Sequence, residues 1–374
     1  MTSIGQLTRV HKSLGQYKQY LTADSDRMMI LPSLSFPFQP PACGHSLEVV
    51  PGVRWIRLAL PYRLNHINVW ALDDADGWAL VDTGVKNEET VSAWEALFTA
   101  CGSGTDRPLT RVFVTHMHPD HIGMAGWMTR RFKVPLWISQ LEYLSCRALV
   151  ADSGREAPDD ALAFLRHAGW SDVAIDAYRT RFGNFGKQIY ALPDSFRRLR
   201  DEQKLIIGGS TWEVIRGLGH SPEHSCLYSA DLKLFISGDQ VLPKISSNVS
   251  VHPLQPEANP MAEWFESLED IRQRVPDDVL VLPAHNECFR GLHARIDQLV
   301  KGQEAAFDRL LEQMGRPIRV VDTFIALFKR PITEADGTQL GLATGEAIAN
   351  LNYLRGIGKV ERYSENGVHW YAKV

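Results

Sequence analysis

Thr115-His116-Met117-His118-Pro119-Asp120-His121 places three imidazoles and a carboxylate within six residues, directly after the strand-like run Arg111 to Val114. A divalent metal needs several deprotonated nitrogen and oxygen donors converging on one point. A loop leaving a strand end can fold such side chains back toward that point. Further candidate donors share this placement. His220 and His224 lie in Gly217-Leu218-Gly219-His220-Ser221-Pro222-Glu223-His224, after the apolar run Trp212 to Ile215. Asp239 closes Phe235-Ile236-Ser237-Gly238-Asp239, and His285 follows Val279 to Leu282. Donors that each follow a short apolar segment are expected where several buried strands end at a common rim.

With these residues in order, the chain resembles the metallo-β-lactamase superfamily, whose pattern is HxHxDH, then H, D and H. The resemblance implies an α+β fold, a four-layer αβ/βα sandwich with two facing mixed sheets and a dinuclear site at one edge. It implies that His116, His118 and His220 hold a first metal, that Asp120, His121 and His285 hold a second, and that Asp239 bridges them. Val81-Asp82-Thr83-Gly84 is similar to the family's early strand-to-loop element, whose aspartate supports the site from behind the ligands; an ordinary Asp-Thr-Gly turn reads equally well. His118 stands where the flavodiiron branch has glutamate, and Asp239 where the best-known antibiotic-hydrolysing subclass has cysteine. Neither oxygen reduction nor penicillin hydrolysis is therefore the expected chemistry. Asn286 stands where many relatives have glycine. His224 matches a second loop histidine that in many relatives is not a ligand; it is read as a supporting residue and kept among the candidates for substrate contact.

The elements that must position these donors can be read around them. Strand-type runs cover Leu47 to Leu60, Asn65 to Leu72 and Trp78 to Val81, and Glu88 to Ala100 has a helical apolar face. Gly123 to Phe132 reads as a helix and Pro135 to Ser139 as a strand, an alternation that suits strands covered by helices. Residues 46–315 are expected to form the catalytic body. Within it, residues 140–200 form a helical insertion, with helices at Glu142 to Val150, Pro158 to Ala168 and Asp172 to Phe182. In relatives an insertion here lies over the metals. Tyr178, Arg179, Phe185 and Tyr190 are therefore candidates for substrate contact, as are Arg181 and Phe182; the same side chains could serve only to fasten the lid. His252 is a further candidate that could act as an acid or be a satisfied loop histidine.

Residues 1–45 are read as an arm, either carrying a short helix or partly disordered. Residues 316–374 are read as a separate C-terminal domain of helices followed by a hairpin. Its order resembles the small winged helix of a metallo-β-lactamase branch with a glyoxalase II-like or endoribonuclease-like site. From Ile318 onward seven basic side chains face six acidic ones, and the presumed recognition helix, Leu342 to Arg355, has one basic residue. That equips it poorly for phosphate neutralisation and argues for packing against the body or a second copy in a homodimer.

Across the 374 residues, a formal charge of -4 provides no general pull toward nucleic acid or anionic membrane. The charged early segment has no signal-peptide pattern, and no apolar run approaches the ~20 residues of a membrane span. Five scattered cysteines without CxxC spacing suit free thiols in a cytoplasmic protein.

Two closely spaced divalent ions would share a water and lower its pKa from the ~15.7 of bulk water toward roughly 7, so no serine or cysteine nucleophile is needed. Asp120 and Asp239 are the expected catalytic carboxylates. Zinc is the expected metal, with iron and manganese also suited to these donors. The first functional reading is a hydrolase of a small carboxylic ester, thioester or lactone. The alternative is an endoribonuclease or phosphodiesterase acting on single-stranded RNA.

Overall fold

The computed structural model describes residues 33–75, 77–100 and 109–374. Most of the expected N-terminal arm, residues 1–32, lies outside the described residues, as does Cys101. Seven strands, β1 (His45–Val50), β2 (Val53–Ala59), β3 (His66–Asp74), β4 (Gly77–Val81), β5 (Leu109–Phe113), β6 (Leu136–Ser139) and β7 (Arg197–Leu199), form one mixed sheet in that order. The first four pair antiparallel and the last four parallel. A second sheet contains β8 (Lys204–Ile207), β9 (Ser210–Gly217), β10 (His224–Ser229), β11 (Leu234–Gly238) and β12 (Leu280–Pro283), in the order β12-β11-β10-β9-β8.

Alternating side chains generate the layers, because successive residues of a strand face opposite sides. Along β2 and β3, Trp55, Trp70 and Leu72 point into the core between the sheets, where Trp212, Leu227, Ile236 and Leu282 of the second sheet meet them. The intervening Ile56, Leu58, Val69 and Ala71 face outward under helices α1 (Glu88–Ala100) and α3 (Ala125–Phe132), which contribute Trp94, Leu97, Phe98 and Met128. Between them lies α2 (Pro119–Ile122), a single turn. On the far side, Ile215, Phe235 and Val281 pack under α7 (Pro260–Arg274) and α8 (Leu292–Gln313). The result is the expected αβ/βα sandwich.

Several details differ from the sequence expectation. The run Leu47 to Leu60 is two strands, because Gly52 at φ 80° supports a reversal at Pro51-Gly52. The insertion carries helices α4 (Gln140–Ala151), α5 (Asp159–His167) and α6 (Asp172–Arg181), but its end is not helical: β7 extends the seven-stranded sheet. Its Arg-Arg-Leu sequence lacks the apolar alternation that marks a strand.

After α8 come a 3-10 turn at Val320–Thr323, α9 (Phe324–Phe328), α10 (Gly337–Gly356) and the hairpin β13 (Val360–Glu365) and β14 (Val368–Lys373). Apolar side chains of this segment pack into the core of the body. Leu340, Ala347, Ile348 and Leu351 of α10 share one continuous cluster with Leu268 of α7 and Phe307 of α8. Leu342, the first residue of the presumed recognition helix, is exposed rather than packed against the body. No described helix is long and apolar enough to cross a membrane.

Candidate metal centre

The loops after β4, β5, β9, β11 and β12 open at one edge of the two sheets. Asp82, just past β4, adopts the left-handed backbone region at φ 65°, which Asp tolerates better than most residues. This turn aims its carboxylate at the β5 loop. Oδ1 accepts from the Thr115 amide at 2.8 Å, and Oδ2 lies 2.8 Å from His121 Nδ1. Thr83 adds a second fastening, its hydroxyl donating to the His121 carbonyl at 2.7 Å. Similarly, Asn286 at φ 68° adopts the left-handed conformation that asparagine tolerates, and its carbonyl accepts from Arg57 and Asn68, both at 2.9 Å.

The seven predicted ligands come together as three overlapping donor groups: His116, His118 and His220; His116, His121 and Asp239; and Asp120, His121 and His285. His116 Nε2 lies 2.9 Å from His118 Nδ1 and 3.2 Å from His220 Nε2. Asp239 lies between the clusters: Oδ2 is 3.4 Å from His220 Nε2 and 3.5 Å from His121 Nε2, while Oδ1 is 3.4 Å from His285 Nε2. Asp120 Oδ2 sits 3.5 Å from His285 Nε2. Donors ~2.0–2.2 Å from one tetrahedral ion stand ~3.3–3.6 Å apart, so most of these separations suit shared coordination.

The outward nitrogens have fixed acceptors. His220 Nδ1 faces the Asn248 carbonyl at 2.8 Å, and His285 Nδ1 faces the His66 carbonyl at 2.8 Å. Carbonyls and carboxylates only accept, so His121, His220 and His285 carry their protons on Nδ1 and turn Nε2 inward. Among the described residues, neither His121 Nε2 nor Asp239 Oδ1, both buried, makes a hydrogen bond. Such orphaned atoms are costly unless something else satisfies them, and a divalent cation among these donors would do so.

The electrostatics agree. Burial, aided by neighbouring imidazoles, pushes His116 and His118 well below the ordinary histidine range, leaving them neutral and ready to ligate. Burial also pushes His121 and His285 downward, but Asp82, Asp239 and Asp120 outweigh it at His121, and Asp239 and Asp120 at His285, so both end raised. The carboxylate field that raises them is one that attracts a cation. Replacing Asp82 with Asn keeps a hydrogen-bonding side chain of the same size but removes its charge. We expect metal affinity to fall ~10–100-fold, measured by chelator competition.

Among the substrate candidates, His224 sits behind the donors. It is fully buried, its Nε2 accepts from the Asp239 amide at 3.2 Å, and its ring stacks on His116 with centroids 5.0 Å apart. It supports the ligands and presents no surface to a substrate. The others make their contacts elsewhere. Tyr178 packs edge-on against Trp170, Arg179 pairs with Asp176, and Phe185 lies on a 3-10 turn against the outer core of the first sheet. The Tyr190 amide donates to Gly123, with the Lys86 ammonium 5.1 Å from its ring centre. His252 sits in a loop with Nδ1 facing the Leu254 amide. Among the described residues, none of these five makes a hydrogen bond, ion pair or ring contact with the seven donors.

Two residues that influence the donors or their loops were missed. Tyr62, read only as part of a turn, lies close enough to Asp120 for that carboxylate to add to burial in raising its phenol. Glu142, on the first turn of α4, is completely buried and accepts from the Met117 amide, the Ser221 hydroxyl and the Glu223 amide at 2.9, 2.6 and 2.7 Å. It ties the His116–His118 loop to the His220 loop. An acidic residue early in a helix is common, and nothing local in the sequence distinguishes this one.

Residues 62–285 match the model of the metallo-beta-lactamase superfamily, and residues 307–374 match that of the metallo-beta-lactamase-like C-terminal domain. A crystal structure of a beta-lactamase domain protein from Burkholderia ambifaria is 37% identical, with a TM-score of 0.82, over 91% of this chain and 98% of that one. A metallo-beta-lactamase family protein from Thermus thermophilus is similar in fold, with a TM-score of 0.73 at 22% identity, over 87% of this chain and all of that one. Among curated proteins, an atrochrysone carboxyl ACP thioesterase from Aspergillus fumigatus is 22% identical over 68% of this chain. The match spans 45% of that thioesterase's length.

Proposed function

The chain belongs to the metallo-beta-lactamase superfamily, a superfamily of hydrolases, and from that premise we propose that it is a dinuclear metal-dependent hydrolase of small thioesters, with esters and lactones as related substrates. The carrying observation is the position of Asp239, whose carboxylate faces His220 of one prospective ion site and His121 and His285 of the other. His116, His118 and His220 would hold one divalent ion, Asp120, His121 and His285 the other, with Asp239 shared and zinc the first choice of metal. Such a pair supplies Lewis acidity, activating water and polarising a carbonyl near neutral pH.

The chain's own residues set up the rest. Asp120, partly exposed and 3.5 Å from His285, would take a proton from the reacting water and return it to the leaving group. Asp82 and the Asn248 and His66 carbonyls hold three imidazoles in one tautomer and orientation. The thioester preference draws on the similarity to the fungal thioesterase.

The C-terminal segment disfavours the RNA reading beyond its near-neutral charge. Arg355 and Arg362 both pair with Glu257, and Arg319 pairs with Asp322, so three of its seven cationic side chains are already engaged. A panel of acyl thioesters, lactones, phosphodiesters and short single-stranded RNA tests the proposal. Thioester hydrolysis should be abolished by chelation and restored by Zn2+ or Mn2+. Chelator-resistant hydrolysis, or salt-sensitive RNA cleavage without thioester turnover, would overturn it.

A further inference from the structure

The loop at residues 246–250 links His220 to helix α10, and one side chain of that helix bonds to it. Asn248 uses both ends. Its carbonyl holds His220 Nδ1 at 2.8 Å, and its side-chain amide donates to Glu346 Oε2 at 2.7 Å. The Ser250 hydroxyl donates to Asn248 Oδ1, leaving that amide one orientation. Main-chain contact supports the same seam. The Val251 amide donates to the Gly345 carbonyl at 3.0 Å, and a Cβ at Gly345 would lie 2.9 Å from both Ser250 Cβ and the Val251 carbonyl. Glycine at 345 therefore allows α10 to approach closely enough for Glu346 to reach Asn248.

Glu346 is not explained by packing. Burial raises its carboxyl to about 7, with the Asn248 hydrogen bond the opposing influence. One side of it borders a cavity of about 280 Å³, also lined by Gln303, Asn350 and Arg295. An apolar side chain would spare the helix this desolvation, so the carboxylate suits a positional task better than a stabilising one.

We propose that Glu346 is a positioning residue of the metal centre, acting through Asn248 to hold the carbonyl that orients His220, so that the C-terminal segment completes the outer support of the site. The proposal rests on reading His220 as a metal ligand. A ligating imidazole whose outward N–H loses its fixed acceptor can rotate and becomes a weaker donor, and outer partners of this kind typically change metal affinity ~10–100-fold. Glu346→Leu fills the volume without accepting a hydrogen bond. Glu346→Gln keeps an acceptor for Asn248. Asn248→Ala cuts the same link from the other side while leaving the backbone carbonyl in place.

The test uses the full-length chain loaded with Co2+, whose visible spectrum reports ligand geometry, and chelator competition for Zn2+, with circular dichroism to verify folding. Glu346→Leu and Asn248→Ala should each weaken binding of one of the two ions ~10–100-fold and shift the Co2+ bands. Glu346→Gln should stay near wild type. The double variant should be no worse than either single one, because both cut one link. Wild-type binding and spectra in Glu346→Leu or Asn248→Ala, or additive losses in the double variant, would overturn the proposal alone. A wild-type chain that binds no Co2+ would overturn the metal-centre reading with it. If Glu346→Leu does not fold, Asn248→Ala and Glu346→Gln still decide the matter.

Discussion

Asp239→Ala is expected to lower both metal affinity and hydrolytic rate by about a thousandfold or more, well beyond the ~10–100-fold typical of a residue behind the ligands. The reason is its place between the clusters. Its oxygens face His220, His121 and His285 at 3.4–3.5 Å, so alanine removes a donor from both prospective ion sites at once. It also leaves five neighbouring imidazoles with Asp120 as the remaining carboxylate of the donor set. Elemental analysis and turnover of the best substrate should fall together. Full metal occupancy in the variant would remove Asp239 from the ligand set.

The same electrostatics set the pH dependence of metal uptake. His121 and His285 are raised, so in the metal-free chain they keep a second proton to a higher pH than an ordinary histidine. An incoming ion must displace those protons. The competition is present below the raised pKa values and vanishes above them, so affinity should climb as pH rises through neutrality. His116 and His118, pushed well below the usual range, contribute no such competition. Titration calorimetry in buffers of different ionisation enthalpy should show net proton release on Zn2+ binding.

The donors were legible in the sequence because metal chemistry restricts residue type and spacing, and strand ends carry them to one rim. The helices of the insertion were legible within one or two residues because their apolar periodicity is local: Asp172 to Phe182 was expected and Asp172–Arg181 is found. What supports the donors was not legible. Glu142 lies 25 residues from Met117, and Glu346 lies 98 from Asn248. Contacts of that separation follow from how layers pack, which no local spacing encodes. The C-terminal segment shows the same limit. Its helices and hairpin could be read, whereas its merger into the α7–α8 core depends on which apolar face meets which.

Glu142→Ala should have the largest effect on stability among substitutions outside the donors. Three donors now converge on a carboxylate with no exposure, and alanine leaves the Met117 amide, the Ser221 hydroxyl and the Glu223 amide facing a cavity. Unsatisfied buried donors cost ~1–3 kcal/mol each, partly recovered if water enters, so a loss on the order of 3–5 kcal/mol is expected in denaturant unfolding. Burial raises the Glu142 carboxyl, and its three donors lower it without cancelling the rise. The sign follows: the ionised form is disfavoured by folding, so the intact protein gains stability as pH falls toward the ordinary glutamate range and loses it as pH rises through the raised pKa. Alanine should abolish that slope while lowering stability throughout. Glu142→Gln retains one accepting oxygen but turns an NH2 toward an existing donor, which places it between wild type and alanine. Ser221→Ala removes a single bond and should cost about 1 kcal/mol. Because Glu142 joins the loop of His116 and His118 to that of His220, its loss should also reduce turnover more than Ser221→Ala does. Equal effects of the two variants would mean that the joined loops hold their geometry without the carboxylate.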